Sequence, residues 1–316
     1  MFNAFVAPHF QSNEAAREFL EKLRWPLGAV CSHCSTTNHA YKTKKLGWYR
    51  CASKECRKDF TVTTGTVMER SHIDLNKWLM AFYLMSSSKK GVSAHQIHRA
   101  LSLDYKSAWF MCHRIREAMR DGGFSPLGGE GAIVEADETY YGNVDKPRTQ
   151  TTRGRPYTKS GKTGNKRPVL ALVERGGSVR TFHVPVADKA TVTRIVRENV
   201  ARESRLHTDE SRLYTGSEDH FAAHKSVRHS GEEYVRYEGG EAIHTNSAEG
   251  FFSIFKRGMR GIYQHCSEKH LHRYLAEYEF RYNHRVRLGV GDIDRTLAAI
   301  RGVEGKRLMY RQPGQA

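Results

Sequence analysis

The sequence predicts a mixed α/β fold preceded by two smaller modules, and three observations lead to this prediction. Two close cysteine pairs lie within residues 25–70, apolar residues recur at helical spacing through 74–119, and β-rich runs alternate with helices from residue 132 onward. A chain of 316 residues is long for one compact core and suits two or three.

The charge balance predicts a polyanionic partner. Lys and Arg number 51 against 34 Asp and Glu, a net charge of +17 with histidine neutral. Such an excess attracts nucleic acid, because each neutralised phosphate releases a condensed counterion. A basic protein without such a partner is the alternative.

The cellular compartment is predicted from two patterns that the sequence lacks. It has no apolar run of roughly 18 residues that could span a membrane, and no basic start followed by an apolar run that would indicate a signal peptide. We therefore expect a cytoplasmic protein with no membrane partner. Its six cysteines are then expected to be thiols or metal ligands.

The N-terminal module is predicted to contain a short helix over residues 1–24 and a zinc ribbon over 25–70. Ala15, Phe19 and Leu23 recur at helical spacing before the cysteine-rich stretch begins. A Cys-x2-Cys pair and a Cys-x4-Cys pair can each occupy one turn, so that four thiolates reach one tetrahedral Zn²⁺. The predicted zinc ligands are Cys31, Cys34, Cys51 and Cys56.

Other interpretations of these cysteines stay open. His33 or His39 could replace one ligand, the four thiols could be unligated, or one pair could be a redox dithiol. A closed four-ligand site has no open position, so the predicted role is structural. Cys112 and Cys266 fall in helical patterns and are predicted to be packing thiols.

Residues 71–121 are predicted to form a helix-turn-helix domain. Segments 93–100 and 105–119 have helical periodicity and are separated by a short break, as in DNA-binding helix pairs. The alternative is a helical hairpin that only packs in a core. The candidate DNA contacts on the second segment are Lys106, Arg114 and Arg116. A glycine-rich linker is predicted over 122–131.

Three carboxylates in the region 132–290 are candidates for holding two divalent metal ions, expected to be Mg²⁺ or Mn²⁺. Metal-assisted phosphoryl transfer needs acids from different elements that converge on such ions. Asp137 ends the first apolar strand, Asp209 follows a short strand, and Glu249 lies in a helical segment. Each could instead be a helix cap or a solvated strand end.

The helical segment around Glu249 predicts a contact with DNA as well. Asn246, Glu249, Ser253 and Lys256 fall on one polar stripe, so that a carboxylate would face the metal ions and a lysine the DNA backbone. Alternatively, Asn246 and Glu249 form only a capping box. The candidate DNA contacts of this segment are Lys256, Arg257 and Arg260.

Several sequence blocks point to one family. They are Val134-Glu-Ala-Asp137-Glu-Thr-Tyr-Tyr-Gly142, Thr208-Asp209-Glu-Ser211, His244-Thr-Asn246-Ser-Ala-Glu249-Gly-Phe-Phe-Ser-Ile-Phe-Lys256-Arg-Gly258 and Phe280-Arg-Tyr-Asn-His-Arg285. These blocks resemble the DDE transposases of the insertion-sequence fifteen ninety-five family, which are ISXO2-like transposases with an N-terminal zinc ribbon. The resemblance extends from about residue 18 to residue 290.

The resemblance implies an RNase H-like catalytic domain over 132–290, in which Asp137 and Asp209 match the first two acidic positions. The third position varies in that family, with Asn or His sometimes standing in place of Glu, so that Asn246 and Glu249 are both candidates. Glu249 is favoured because it supplies charge and lies seven residues before Lys256.

The implied activity is that of a bacterial insertion-sequence transposase. Water would attack a phosphodiester at the element end, and the freed 3′ hydroxyl would then attack target DNA. The implied partners are double-stranded DNA, as terminal inverted repeats and as target, and further copies of the chain on that DNA. The alternatives are a catalytically inactive DNA-binding protein descended from a transposase, and a structure-selective RNase H-like nuclease.

Two further stretches complete the predictions. A basic insertion over 145–168 carries eight Lys or Arg and no acid between residues 146 and 167, which predicts a mobile loop that grips DNA backbone or a solvated insertion without a role. Within it, Ser160-Gly-Lys-Thr163 is no phosphate-binding loop, because Pro156 stands where the first glycine is required. Residues 291–316 are predicted to be a C-terminal tail.

Overall fold

The computed structural model describes residues 4–122, 125–143 and 166–309. The chain divides into two compact units, residues 1–120 together with 290–316, and residues 121–289. Most of the predicted basic insertion, including Ser160-Gly-Lys-Thr163, lies outside the described residues. In the described part of the chain, every helix is too short or too polar to cross a membrane.

The first unit combines a small antiparallel sheet with a set of helices. Helix α2 begins where the Ser12 side chain accepts a hydrogen bond from the backbone nitrogen of Ala15 at 3.1 Å. The strand order of the sheet is β1-β2-β3. The elements are α1 (Pro8–Gln11), α2 (Asn13–Arg24), β1 (Ala40–Lys42), β2 (Tyr49–Cys51), β3 (Asp59–Phe60), α3 (Leu75–Ser87), α4 (Ala94–Leu101) and α5 (Tyr105–Met119), and, late in the chain, α9 (Asp292–Arg301).

The last residues of the chain contribute a helix to this unit, which the predicted tail over 291–316 did not include. Helix α9 packs against α3, and the Arg295 guanidinium donates a hydrogen bond to the backbone oxygen of Ser86 at 3.1 Å. Farther on, the backbone nitrogen of Gly305 donates to the oxygen of Gly65 at 3.0 Å. Residues 292–305 therefore belong to the packed core of the first unit.

The second unit is built on a five-stranded sheet with the order β6-β5-β4-β7-β8. The pairs β4–β5 and β5–β6 are antiparallel, whereas β4–β7 and β7–β8 are parallel. This is a mixed α/β unit, as the sequence predicts. Its elements are β4 (Ile133–Asn143), β5 (Lys166–Glu174), β6 (Val179–His183), α6 (Lys189–Asn199), β7 (Arg205–Asp209), β8 (Ala223–Val227), β9 (Arg236–Glu238), β10 (Glu241–Ile243), α7 (Asn246–Gly258) and α8 (Leu271–Asn283).

The two faces of this sheet are covered by different helices. On β4, Val134 and Ala136 belong to a buried cluster with the apolar residues of α6. The opposite face, with Val169 and Ala171 of β5, packs against the phenylalanines of α7 and the apolar residues of α8. Because side chains alternate along a strand, Glu135 and Asp137 point toward the α7 and α8 face.

The edge strand β6 is protected by two side chains of α8. Asn283 accepts a hydrogen bond from the backbone nitrogen of Val179 at 2.7 Å and donates one to its oxygen at 3.0 Å. Glu279 accepts hydrogen bonds from the backbone nitrogen and the hydroxyl of Thr181, each at 2.9 Å. These contacts occupy backbone groups that an exposed edge would offer to another chain.

Glu279→Gln is expected to stabilise the second unit at pH 8 but not at pH 4. Burial raises the pKa of Glu279 to about 7, above its ordinary value of 4.5. The contribution of this acid to the free energy of unfolding is therefore fully present below pH 4.5 and is lost as the pH rises through 7. The loss at pH 8 is about 3 kcal/mol, and glutamine avoids it while still accepting a hydrogen bond from Thr181. Urea unfolding at both pH values measures this, and an equal effect at the two would contradict it.

Candidate functional site

The four cysteines come together in the first unit. The Sγ atoms of Cys31 and Cys56 are 3.7 Å apart, and those of Cys34 and Cys51 are 3.6 Å apart. A tetrahedral ion with Zn–S bonds of about 2.3 Å separates its sulfurs by roughly 3.8 Å. Among the described residues, this is the one cluster of three or more His, Cys, Asp or Glu side chains whose metal-ligating atoms all lie within 4.8 Å of one another. His33 and His39 are not part of it.

The backbone turns that carry the cysteines fit a zinc site. Ser35 and Arg57, each directly after the second cysteine of a pair, have positive φ angles of 59° and 47°. These left-handed residues fold each pair back so that both sulfurs face the same point. Cys31 and Cys51 are buried, which suits a structural ion.

Removal of zinc is expected to unfold the cysteine module. Cys51→Ser should reduce bound zinc from one ion per chain to less than about a tenth of an ion. A site with three thiolates binds zinc more weakly, and zinc binding supplies free energy for folding of the module. Metal analysis together with thiol titration checks this. Wild-type protein that is folded, free of zinc and reactive at all four thiols would contradict it. Cys112→Ser, in α5, is the control that should retain zinc.

Asp137 and Asp209 occupy equivalent positions on two adjacent parallel strands. Glu135 of β4 pairs with His207 of β7, and each aspartate lies two residues beyond its member of that pair. Burial, followed by the charge of neighbouring Glu138, raises the pKa of Asp137 to about 8. The charge of Asp209 also contributes to this rise, as expected when two carboxylates lie close together.

Glu249 approaches Asp137 from the first turn of α7. Its negative charge is a further cause of the raised pKa of Asp137. One of its carboxylate oxygens lies 3.4 Å from Nε2 of His229, and its side chain is 47% exposed. His229 also lowers the pKa of Asp209, against the larger effect of burial, which raises it. His229 thus contacts Glu249 and interacts electrostatically with Asp209, and no sequence pattern indicated it.

Asn246 and Lys256 lie at opposite ends of α7. Asn246 is exposed at the first residue of the helix, whose N-cap position is Thr245, so the alternative of a capping box formed by Asn246 and Glu249 does not hold. Lys256 is half-buried, and burial lowers its pKa, while the charge of Asp137 raises it. Lys256 therefore faces the acids, two turns along the helix from Glu249.

The predicted DNA contacts differ in their exposure. Lys106 on α5 and Arg257 and Arg260 at the end of α7 are exposed. In contrast, Arg116 is only 2% exposed, and Arg114 donates hydrogen bonds to the backbone oxygens of Glu69 and Leu308. The placement of these two arginines inside the first unit does not favour the prediction that they contact DNA.

Comparison with known proteins gives matches over most of the chain. The family model of the ISXO2-like transposase domain matches residues 126–283, and that of the transposase zinc-ribbon domain matches residues 11–59. A curated relative, the uncharacterized protein in transposable element ISH50 of Halobacterium salinarum, is 28% identical over 284 residues, which are 86% of this chain and 91% of the relative.

Two solved structures of Mos1 transposase are also similar. The paired-end complex with the left transposon end has a TM-score of 0.27 and 11% identity, covering 66% of this chain and 70% of the other. The pre-cleavage Mos1 transpososome has a TM-score of 0.26 and 9% identity, with the same coverage.

Proposed function

This chain belongs to the family of ISXO2-like transposases, and we propose on that premise that it cuts and joins DNA at the ends of an insertion element. The catalytic site would be formed by Asp137, Asp209 and Glu249. The observation that carries the proposal is that these acids, distant in the sequence, lie close enough for the charges of Asp209 and Glu249 to add to the rise in the pKa of Asp137 that burial and Glu138 cause.

The donor set of this site fits hard divalent cations. Carboxylate oxygens are the ligands that Mg²⁺ and Mn²⁺ prefer. Burial raises the pKa of Asp137, and repulsion between the neighbouring acids adds to this rise; bound positive charge would relieve that repulsion. Among the described residues these acids do not form a single compact group of ligand atoms. That spread suits two ions about 4 Å apart, each held by part of the set.

The acidic side chains and Lys256 would have different roles in phosphoryl transfer. Bound Mg²⁺ would supply Lewis-acid stabilisation of the attacking and leaving oxygens. Asp137, whose charge interacts with those of both Asp209 and Glu249, would hold the ions together with these two acids. Lys256 would hold a phosphate oxygen of the DNA beside Asp137, since its ammonium group already lies in that carboxylate's field.

The sheet supports an RNase H-like fold for this catalytic domain, proposed over 132–290. Three antiparallel strands are followed by two parallel ones, with helices on both faces. Asp137 lies on the central strand β4 and Asp209 at the end of the neighbouring β7. The two acids thereby lie on adjacent strands, at the level where β7 ends.

DNA recognition is assigned to the first unit, within the proposed limits of 25–70 for the zinc ribbon and 71–121 for a helix-turn-helix domain. Helices α4 and α5 are separated by a short turn in which Ser102 has a left-handed backbone, and Asp104 caps the start of α5. Lys106, in the first turn of α5, is exposed and is the proposed phosphate contact. Terminal inverted repeats would be bound by more than one copy of the chain.

Incubation of the purified protein with DNA that carries the element's ends tests the proposal. With Mg²⁺ we expect nicked ends and joined products, and with EDTA neither. Binding without cleavage at any Mg²⁺ or Mn²⁺ concentration would favour a DNA-binding protein that has lost catalysis. Cleavage of branched DNA irrespective of end sequence would favour a structure-selective nuclease.

A further inference from the structure

A fully buried carboxylate on β4 caps the helix that carries Glu249. Glu135 has no exposed surface and accepts hydrogen bonds from the backbone nitrogens of Ser247 at 2.7 Å and Ala248 at 3.2 Å. The hydroxyl of Ser247 donates a third hydrogen bond at 3.0 Å. The residue in the usual capping position, Thr245, makes no such side-chain bond. A strand residue therefore replaces the local helix cap.

Arg175 supplies the balancing charge and holds the segment before α7. Its guanidinium donates a hydrogen bond to Glu135 at 3.0 Å and another to the backbone oxygen of Ala242 at 2.8 Å. It also lies 3.3 Å from the backbone oxygen of His244. A buried acid needs such a partner, since an isolated buried charge is costly. The pair thus ties both the start of α7 and the strand leading into it to the central sheet.

The Glu135–Arg175 pair, called the anchor from here on, is linked by its position to the acids of the site. Glu135 lies two residues before Asp137 on the same strand and points to the same face of the sheet. Glu249 follows the anchored nitrogen of Ala248 directly, within the first turn of α7. The anchor therefore fixes where the backbone of Glu249 stands with respect to Asp137.

We propose that Glu135, together with Arg175, is a positioning residue that sets the placement of Glu249 opposite Asp137 and so the affinity of the acidic site for divalent cations. This inference rests on the proposed function of those acids. A buried acid that only stabilises the fold would affect unfolding without a specific effect on cation binding.

The test compares Glu135→Gln with Glu277→Gln. Glu277 is also completely buried, pairs with Arg281 and accepts a hydrogen bond from the Tyr263 hydroxyl at 2.5 Å, but lies on α8. Glutamine at position 135 retains one acceptor but loses the charge and the second oxygen. With the cysteines preloaded with zinc, binding of Mn²⁺ is measured by electron paramagnetic resonance.

We expect Glu135→Gln to weaken Mn²⁺ binding at least about tenfold and Glu277→Gln to change it less than about twofold. Should Glu135→Gln fail to fold, Ser247→Ala removes one of the three hydrogen bonds without removing charge and should weaken Mn²⁺ binding about two- to threefold. The inference would be overturned if the Mn²⁺ affinity were the same in wild type, in Glu277→Gln and in whichever of Glu135→Gln and Ser247→Ala folds.

Hydrogen exchange separates this inference from the proposed function. In Glu135→Gln, or in Ser247→Ala if the former does not fold, the amides of Ser247 and Ala248 should exchange at least about tenfold faster, and those of α8 should not. If wild-type protein binds no Mn²⁺ at this site, the proposed function fails, and the exchange of these two amides still decides whether Glu135 positions α7. Unchanged exchange there would show that it does not.

Discussion

Replacement of Asp137 with Asn is expected to abolish DNA cleavage while DNA binding is unchanged. Asparagine has the same shape but cannot supply the negative charge that a divalent cation requires, so several kcal/mol of transition-state stabilisation are lost. Such a loss corresponds to a decrease in cleavage rate of about 10³-fold or more. Gel assays of end-containing DNA measure the cleavage rate, and fluorescence anisotropy measures the binding.

The stability of this variant distinguishes loss of chemistry from loss of fold. Burial and neighbouring acids raise the pKa of Asp137 to about 8, so its ionised form is unfavourable in the folded protein when no cation is bound. A neutral asparagine should therefore leave the melting temperature equal or higher. Asp188→Asn, which changes an acid that caps α6, serves as the control and should retain cleavage. More than a tenth of wild-type cleavage in the Asp137 variant would remove this residue from the site.

Glu249→Gln is expected to reduce cleavage at least about 10²-fold, whereas Asn246→Ala should change it less than about threefold. The charge of Glu249 reaches Asp137, and its oxygen lies 3.4 Å from His229, which also acts on Asp209. Asn246 is instead exposed at the start of α7. The same gel assay, with both variants at equal Mg²⁺ concentration, decides between them.

The opposite result has a clear meaning. If Asn246→Ala loses cleavage and Glu249→Gln retains it, the third catalytic position belongs to the Asn246 amide. Loss in both variants would indicate that the first turn of α7 acts as a unit. In that case the melting temperatures must show that each variant is still folded.

Local patterns in the sequence predicted the parts of the molecule that depend on near neighbours. Helical periodicity predicted segments 93–100 and 105–119, which agree with α4 and α5 within a residue. Cysteine spacing predicted the tetrahedral cluster, because each pair occupies one turn. The apolar strand after residue 132 was predicted too, although β4 continues past Asp137 to Asn143.

Features that depend on distant contacts were missed. A basic residue on a helix is predicted to face solvent or DNA, yet Arg116 is buried by tertiary packing that helical spacing does not reveal. The cap of α7 comes from Glu135, more than a hundred residues earlier, so the local sequence suggested Asn246 instead. His229 reaches Glu249 through the path of the chain after β8, which no motif marks.

Anomalous diffraction from crystals soaked in Mn²⁺ tests the central claim most directly. We expect two manganese peaks about 4 Å apart, bounded by the carboxylates of Asp137, Asp209 and Glu249. The absence of any manganese peak among these three side chains at saturating Mn²⁺ would contradict the account.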